Sequence, residues 1–296
     1  MGQRRRGLTG TTGLMARIAL VAVALGIAPA ALAPGIAEAP ASASRAAGGD
    51  TAAQRYEWGR MMWDFAWEFG ESLDSPPYRG QDITSGRWVE RTTGTGRAVK
   101  YGGGVEFHSA LVRKGTDDPD FGTSTLTLED QPAKRGRWEI KERSYRYEQS
   151  KRDYGFLLQL VPADPADDDC GAHDLTIARL SPGDDRVSVG VNAGTSTWGR
   201  TLSGYRQHGT HYAFAVEVTA RRITWFINGR AVASTDAAAA LPSVPMTVRM
   251  TLLGHGTAEM NKSVVKIDWV RHYDLKRGLR PPDGATLEKR ALDPSC

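Results

Sequence analysis

Alternation of apolar and polar residues is the main pattern of this chain from about residue 123 onward. In "TSTLTLED", the threonines at positions 123, 125 and 127 alternate with Leu126 and Leu128, which is the period of a β-strand with one buried face. Turns rich in Gly, Pro, Asp and Asn separate such stretches, and no long amphipathic helix lies between them. The pattern predicts an all-β fold in which two antiparallel sheets pack as a sandwich. The further predicted strands are "GRWEIKERS", "YGFLLQLV", "HDLTIARL", "RVSVGVNAG", "YAFAVEVTA", "RITWFINGRAVAS", "MTVRMTLL" and "SVVKIDWVRHYDL".

One hairpin can be assigned from its turn. In "RRITWFINGRAVAS", Asn228-Gly229 predicts a type I′ turn, because both residues tolerate the positive φ that this turn requires. Ile223, Trp225 and Ile227 then share one face of the first strand. The residues predicted for the core are Leu160, Ile223, Trp225, Ile267 and Trp269.

The N-terminus has the features of an export signal. Arginines at positions 4 to 6 precede an apolar run at 18–27, and small residues follow as far as Ala43. We therefore expect residues 1–43 to be a cleaved signal peptide and the mature protein to be secreted and extracellular. The pair Arg5-Arg6 leaves both the general and the twin-arginine export routes open.

The remaining boundaries follow from composition. Residues 44–64 are predicted to be a linker and a short N-terminal segment, with a helical stretch near Tyr56 that continues toward Trp67. Residues 65–275 form the predicted jelly-roll domain, and 276–296 form a C-terminal tail. Cys170 and Cys296 would suit a bridge in an oxidising compartment, or two free thiols.

Removal of the leader changes the charge of the protein. The whole chain carries a formal +4, but residues 1–43 contribute +3 from four arginines and one glutamate, leaving +1. The basic character therefore belongs mostly to the leader, and neither nucleic acid nor, after cleavage, a membrane is an expected partner.

Several segments, in order, resemble glycoside hydrolase family 16, the laminarinase, lichenase and agarase group. "GRWEIKER" resembles the family's G-R-F-E-I-R-A-K strand, "LLQLVP" its F-W-L-L-P strand, and "YAFAVEVTARRITWFINGRAV" its H-T-Y-A-L-E-W-T-P-D-R-I-T-W-Y-V-D-G segment. The resemblance implies a concanavalin A-like jelly roll of two curved antiparallel sheets, with a sugar-binding groove along the concave one. The implied partner is a polysaccharide of the β-linked glucan or galactan type.

The predicted catalytic strand departs from the family. The family carries E-x-D-x-x-E or E-x-D-x-E, because a retaining glycosidase needs a nucleophilic carboxylate and an acid/base carboxylate. One alignment of "GAHDLTIARL" puts Ala172, Asp174 and Ile177 at these positions, and a shift by two residues gives Asp174, Thr176 and Ala178. Neither alignment supplies two carboxylates.

Other residues are candidates for the missing chemistry. Glu139 is the candidate for a relocated catalytic carboxylate beside Asp174, while Glu142, three residues on, faces the other side of its strand. His173 should point away from Asp174. Nothing in the sequence resembles a zinc site or a phosphate-binding loop, so no metal or cofactor is expected, and the acidic run 167–169 is interpreted as a solvated loop. The predicted substrate-binding residues are Gln159, Asp174, Trp198, Tyr145, Tyr147 and Tyr154.

Three functions fit this sequence. The first is a secreted protein that binds a polysaccharide and has lost the family's hydrolytic machinery. The second is an endo-β-glycosidase or transglycosylase with relocated carboxylates, formed by Asp174 with Glu139 or with an acid from a loop. The third is an extracellular structural or protein-binding domain.

Overall fold

The structure is a computed structural model that describes residues 51–67, 87–110, 119–168 and 173–289. Nearly all of its regular secondary structure is β-strand. One short α-helix, α1 (Ala52–Arg55), and one 3₁₀ helix (Ala238–Ala240) accompany the strands. The strands are β1 (Met61–Phe65), β2 (Arg87–Gly94), β3 (Arg97–Lys100), β4 (Val105–His108), β5 (Gly122–Glu129), β6 (Gly136–Arg146), β7 (Gly155–Pro162), β8 (His173–Leu180), β9 (Val187–Ala193), β10 (Ser196–Leu202), β11 (His211–Val218), β12 (Ile223–Ile227), β13 (Arg230–Thr235), β14 (Met246–Leu253), β15 (Ser263–Tyr273), β16 (Ala285–Thr286) and β17 (Glu288–Lys289).

The described strands form two sheets. Sheet A has the order β16-β13-β12-β11-β6-β15-β4-β3, and β1 pairs with the C-terminal half of β15. Sheet B has the order β17-β10-β9-β8-β7-β14-β5-β2. Every pairing except that of β13 with β16 is antiparallel, so the predicted jelly-roll sandwich is confirmed.

The core lies between the two sheets. Trp138 and Ile140 of β6 face inward from sheet A, and Leu158 and Leu160 of β7 face inward from sheet B, all within one apolar cluster. Such burial is the main source of stability for a sandwich. The polar residues between them on each strand therefore point to the outer face of their own sheet.

The predicted hairpin forms as expected. Asn228 and Gly229 have φ values of 47° and 70°, as the I′ turn requires, and Trp225 is fully buried. Leu160, Ile223 and Ile267 also lie in the core.

The prediction for Trp269 was wrong. A bulge at Asp268 shifts the register of β15 after Ile267, so that Val270 points inward and Trp269 lies on the outer face of sheet A. There the guanidinium of Arg271 lies 4.1 Å from the centre of the Trp269 ring.

The two ends of the chain differ from expectation. The helix is only α1, and the stretch from Met61 is strand β1, because it completes sheet A beside β15. In the predicted tail, β16 joins sheet A and β17 joins sheet B. The predicted signal peptide, Cys170 and Cys296 lie outside the described residues. No helix in the described part of the chain is long and apolar enough to cross a membrane.

A smaller apolar cluster covers part of the outer face of sheet A. Tyr56 and Trp58, which follow α1, pack on Phe226 and Tyr273. The guanidinium of Arg137 lies over the Trp58 ring at 5.5 Å. This half of sheet A is therefore closed to solvent by the N-terminal segment.

Candidate functional site

Strand β8 carries the residues that the sequence analysis placed at the centre of the site. Leu175 faces the core, so Asp174 and Thr176 face outward from sheet B. A bulge follows, because Thr176 pairs with Gly190 of β9 and Arg179 pairs with Ser188, which leaves one residue more on β8 than on its partner. Both Ile177 and Ala178 are buried in the core, and the next outward residue is Arg179.

A hydrogen bond from the other sheet accompanies the bulge. The Trp225 Nε1–H donates to the carbonyl oxygen of Thr176 at 2.9 Å, in the buried interior. A bulge leaves strand backbone groups unpaired within its own sheet, and a buried carbonyl needs a donor. The indole therefore supports β8 immediately beside Asp174.

Neighbouring strands add polar residues to the same outer face. Asn192 of β9 is directly opposite Asp174, and Gln159 of β7 is opposite Thr176. Side chains directly opposite in an antiparallel pair lie about 4.5–5.5 Å apart at Cβ, and diagonal neighbours about 7–8 Å apart. Asp174, Asn192 and Gln159 therefore form one contiguous polar group at the middle of sheet B.

Asp174 is a partly desolvated acid. Its side chain is 5% exposed, and Oδ1 has no hydrogen-bond partner among the described residues. Burial raises the pKa of Asp174 to about 6; the nearby Asp168 carboxylate raises it further and the Arg249 guanidinium lowers it. Asp174 therefore changes from a hydrogen-bond donor to a pure acceptor near neutral pH.

Arg249 connects Asp168 to this group. It lies on β14 opposite Gln159, and its guanidinium forms a two-pronged ion pair with Asp168 and approaches Thr127 Oγ1 at 3.4 Å. The sequence predicts a solvated loop at 167–169, but Asp168 is half-buried and ion-paired. The site therefore contains two carboxyl groups of different surroundings, Asp168 and Asp174.

Glu139 lies elsewhere in the molecule. It is on the outer face of β6 in sheet A, opposite Ala215, and its Oε1 accepts the backbone N–H groups of Ala52 and Ala53. Burial raises the pKa of Glu139 to about 7, against the effect of these N–H groups. The whole core separates Glu139 from Asp174, so the two carboxyl groups cannot act on one bond.

Two of the predicted aromatic contacts point away from Asp174. Trp198 of β10 is opposite Val191, which faces inward, and its ring packs against the edge of the core. Tyr154 is 1% exposed, and burial strongly raises the pKa of its phenol. His173 also points inward, opposite to Asp174 as expected, and burial lowers its pKa.

Tyr145 lies on β6 of the other sheet, and Tyr147 follows the end of that strand. Ser144 of β6 faces the core opposite Val265, so Tyr145 faces outward from sheet A. The rings of Tyr145 and Tyr147 are stacked on each other. Of the predicted binding residues, the structure therefore brings together Asp174 and Gln159, but not Trp198 or the tyrosines.

The sequence alone did not identify three residues around Asp174 as part of the site. The sequence does indicate that Asn192 and Arg249 face outward, since they occupy polar positions of the strands "SVGVNAG" and "MTVRMTLL". The sequence does not indicate that these two strands pair with β8 and β7. These three residues are Asn192, Arg249 and Asp168.

Comparisons with known proteins give matches in structure. No protein-family model and no curated protein sequence matches the chain. The crystal structure of SCLam, a non-specific endo-β-1,3(4)-glucanase from family GH16, is similar at 11% identity and a TM-score of 0.54, covering 74% of this chain and 91% of that one. The chain has the fold of the family 16 glucanases.

Two further structures agree. The laminarinase from Rhodothermus marinus is 16% identical with a TM-score of 0.53, over 75% of this chain and 98% of that one. The endo-β-1,3-glucanase from Pyrococcus furiosus is 13% identical with a TM-score of 0.53, over 73% of this chain and 94% of that one. At these identities the likeness concerns the family 16 fold, and residue roles must be argued from this chain's own geometry.

Within the family 16 fold, the bulge gives β8 a register that neither of the two sequence alignments contained. Its outward residues Asp174, Thr176 and Arg179 are two and then three positions apart, the spacing of E-x-D-x-x-E. Ile177 and Ala178, which those alignments placed at the third position, are in the core. In this register the carboxyl group of Asp174 takes the first motif position, the hydroxyl of Thr176 the second and the guanidinium of Arg179 the third.

Proposed function

We propose that this protein binds a polysaccharide of the β-linked glucan or galactan type on the outer face of sheet B, without the retaining hydrolysis of family 16. The observation that carries the proposal is the outward series Asp174, Thr176 and Arg179 on β8. This series holds one carboxyl group, that of Asp174, and an arginine where a retaining glycosidase needs its second carboxyl group.

The residues present suit binding. Asp174, Asn192 and Gln159 offer carboxyl and amide groups to sugar hydroxyls, and the Oδ1 atoms of Asp174 and Asn192 have no partner among the described residues. Buried polar atoms gain most from a ligand that satisfies them. Among the similar structures, one is described in complex with laminaritriose and laminaritetraose, which supports a glucan as the first ligand to test.

Secretion is part of the same proposal. A leader with a basic, an apolar and a small-residue region in that order, at positions 1–43, would carry the protein to polysaccharides outside the cell.

A second candidate function is hydrolysis by Asp174 and Asp168. Asp168 comes from a loop and lies close enough to raise the pKa of Asp174, and Asp168 is ion-paired to Arg249 while Asp174 is not. Two carboxyl groups with different environments are the usual basis for acid and base roles.

One experiment separates these functions. Purified protein is incubated with laminarin, mixed-linkage glucan and agarose, and new reducing ends and retention on insoluble polymer are scored separately. We expect retention that Asp174→Asn weakens, and no new reducing ends. Reducing ends that disappear in Asp174→Asn and Asp168→Asn, but persist in Glu139→Gln, would establish the second function instead. The absence of both retention and cleavage would favour a structural or protein-binding domain.

A further inference from the structure

Two stacked tyrosines lie at the end of β6, and the outer one is exposed. Tyr145 and Tyr147 lie on the same side of the chain, with ring centroids 6.1 Å apart and planes inclined by 16°. Tyr147 is 61% exposed, which is unusual for a large aromatic side chain in this protein. We call these two residues the tyrosine pair.

Polar groups surround the tyrosine pair. The Arg143 guanidinium lies 5.3 Å from the centre of the Tyr145 ring and forms no ion pair within the described residues. The His208 ring meets Tyr145 edge-on at 5.7 Å. Two strands away at the same level, His108 Nε2 lies 3.0 Å from a carboxylate oxygen of Glu106. Hydrogen-bond donors and acceptors thus lie beside an exposed aromatic ring.

We propose that the tyrosine pair is a second polysaccharide-binding surface, on the face of the sandwich opposite to Asp174. A pyranose ring has an apolar face that stacks on an aromatic ring and hydroxyls at its edge that need polar partners, and the tyrosine pair with Arg143 and His208 provides both. A nucleic acid would need a run of unpaired cations, but the nearby Lys266 is 3.9 Å from Glu106 and donates to the carbonyl oxygen of Gly102.

The tyrosine pair and Asp174 lie on opposite faces of the sandwich, so one molecule offers two separate binding surfaces. Tyr145 faces outward from sheet A and Asp174 faces outward from sheet B, so one sugar chain lying along either face does not reach the other. If the proposed function of the Asp174 face is correct, each protein molecule joins two polysaccharide segments, and retention on a dense polymer exceeds that of either face alone. The binding at the tyrosine pair itself does not depend on that function.

Retention of purified variants on insoluble β-1,3-glucan, mixed-linkage glucan and agarose tests the proposal. Tyr147→Ala should weaken retention about tenfold on at least one polymer, whereas Tyr147→Phe, which keeps the ring, should bind within about twofold of wild type. The matched control is Tyr101→Ala. Tyr101 is 66% exposed in the turn between β3 and β4, beyond the opposite end of β4 from His108. The Tyr101→Ala variant should be retained on each polymer as strongly as the wild-type protein.

The outcomes are distinct for the two faces. Loss of retention in Tyr147→Ala but not in Asp174→Asn supports the tyrosine pair and removes the proposed function of the Asp174 face. Loss in Asp174→Asn but not in Tyr147→Ala does the reverse. Equal loss in Tyr147→Ala and Tyr101→Ala, or a wild-type protein that none of the polymers retains, would overturn the inference. Unchanged thermal unfolding midpoints verify that each variant is folded.

Discussion

The indole of Trp225 in sheet A donates its Nε1–H to the carbonyl oxygen of Thr176 in sheet B, at 2.9 Å across the buried interior. Thr176 is the residue immediately before the β8 bulge and stands between Asp174 and Arg179 on the outer face. The register of the site is therefore coupled to a hydrophobic core residue of the opposite sheet. The Nε1 atoms of the buried Trp67 and Trp88, by contrast, have no hydrogen-bond partner within the described residues.

Removal of this hydrogen bond should destabilise the protein. We expect Trp225→Phe to lower the free energy of unfolding by about 1–3 kcal/mol more than Trp88→Phe, since it leaves the Thr176 carbonyl buried without a donor. Trp88 is a matched control because it is also buried and its Nε1 has no hydrogen-bond partner within the described residues. Urea unfolding of both variants measures the difference. Equal losses would mean that only packing at Trp225 matters.

Residue patterns predicted the strands well and the bulges poorly. Alternation placed Asp174 and His173 on opposite faces of their strand, and Asn228-Gly229 placed the hairpin, because these depend on local backbone geometry. The bulges in β8 and β15 insert one residue against a partner strand that is distant in sequence, so no local pattern reveals them. For the same reason the chain could indicate that Tyr145 is exposed on a strand, but not which sheet it belongs to.

Glu142 should make stability depend on pH. It faces the core between Tyr212 and Ile267, and burial raises its pKa to about 8 from an ordinary value of 4.5. Below about pH 4.5 the Glu142 carboxyl group is protonated in both the folded and the unfolded chain, so its full contribution to stability is present there. As the pH rises from about 4.5 to 8 the unfolded chain ionises first, and the stability contributed by this group is lost.

The variant Glu142→Gln cannot ionise, so its stability should fall less over this range. We expect the free energy of unfolding of this variant to decrease between pH 5 and pH 8.5 by a few kcal/mol less than that of the wild type. The control is Glu288→Gln, the same change at an exposed position, which should keep the wild-type slope. Denaturant unfolding at a series of pH values makes the comparison, and parallel curves for wild type and Glu142→Gln would disprove it.

Export should remove the leader. Protein recovered from the culture medium of the expressing cells should begin near residue 44 and lack the basic and apolar regions. Replacement of Arg5 and Arg6 by lysines should abolish export only if the twin-arginine route is used, which distinguishes the two routes left open by the sequence. N-terminal sequencing and intact mass measure the result. A secreted protein that retains Met1 would contradict the prediction.

The protonation of Asp174 should respond in opposite directions to its two charged neighbours. Asp168→Asn removes a like charge and should lower the pKa of Asp174 from about 6, whereas Arg249→Gln removes an opposite charge and should raise it. Carboxyl-carbon NMR titration, with the Asp174 signal assigned by its absence in Asp174→Asn, reads these shifts directly. If the neutral acid donates to a sugar hydroxyl, the pH at which polysaccharide binding weakens should move with the pKa in each variant. A binding profile that stays fixed while the Asp174 titration moves would show that this carboxyl group does not contact the ligand.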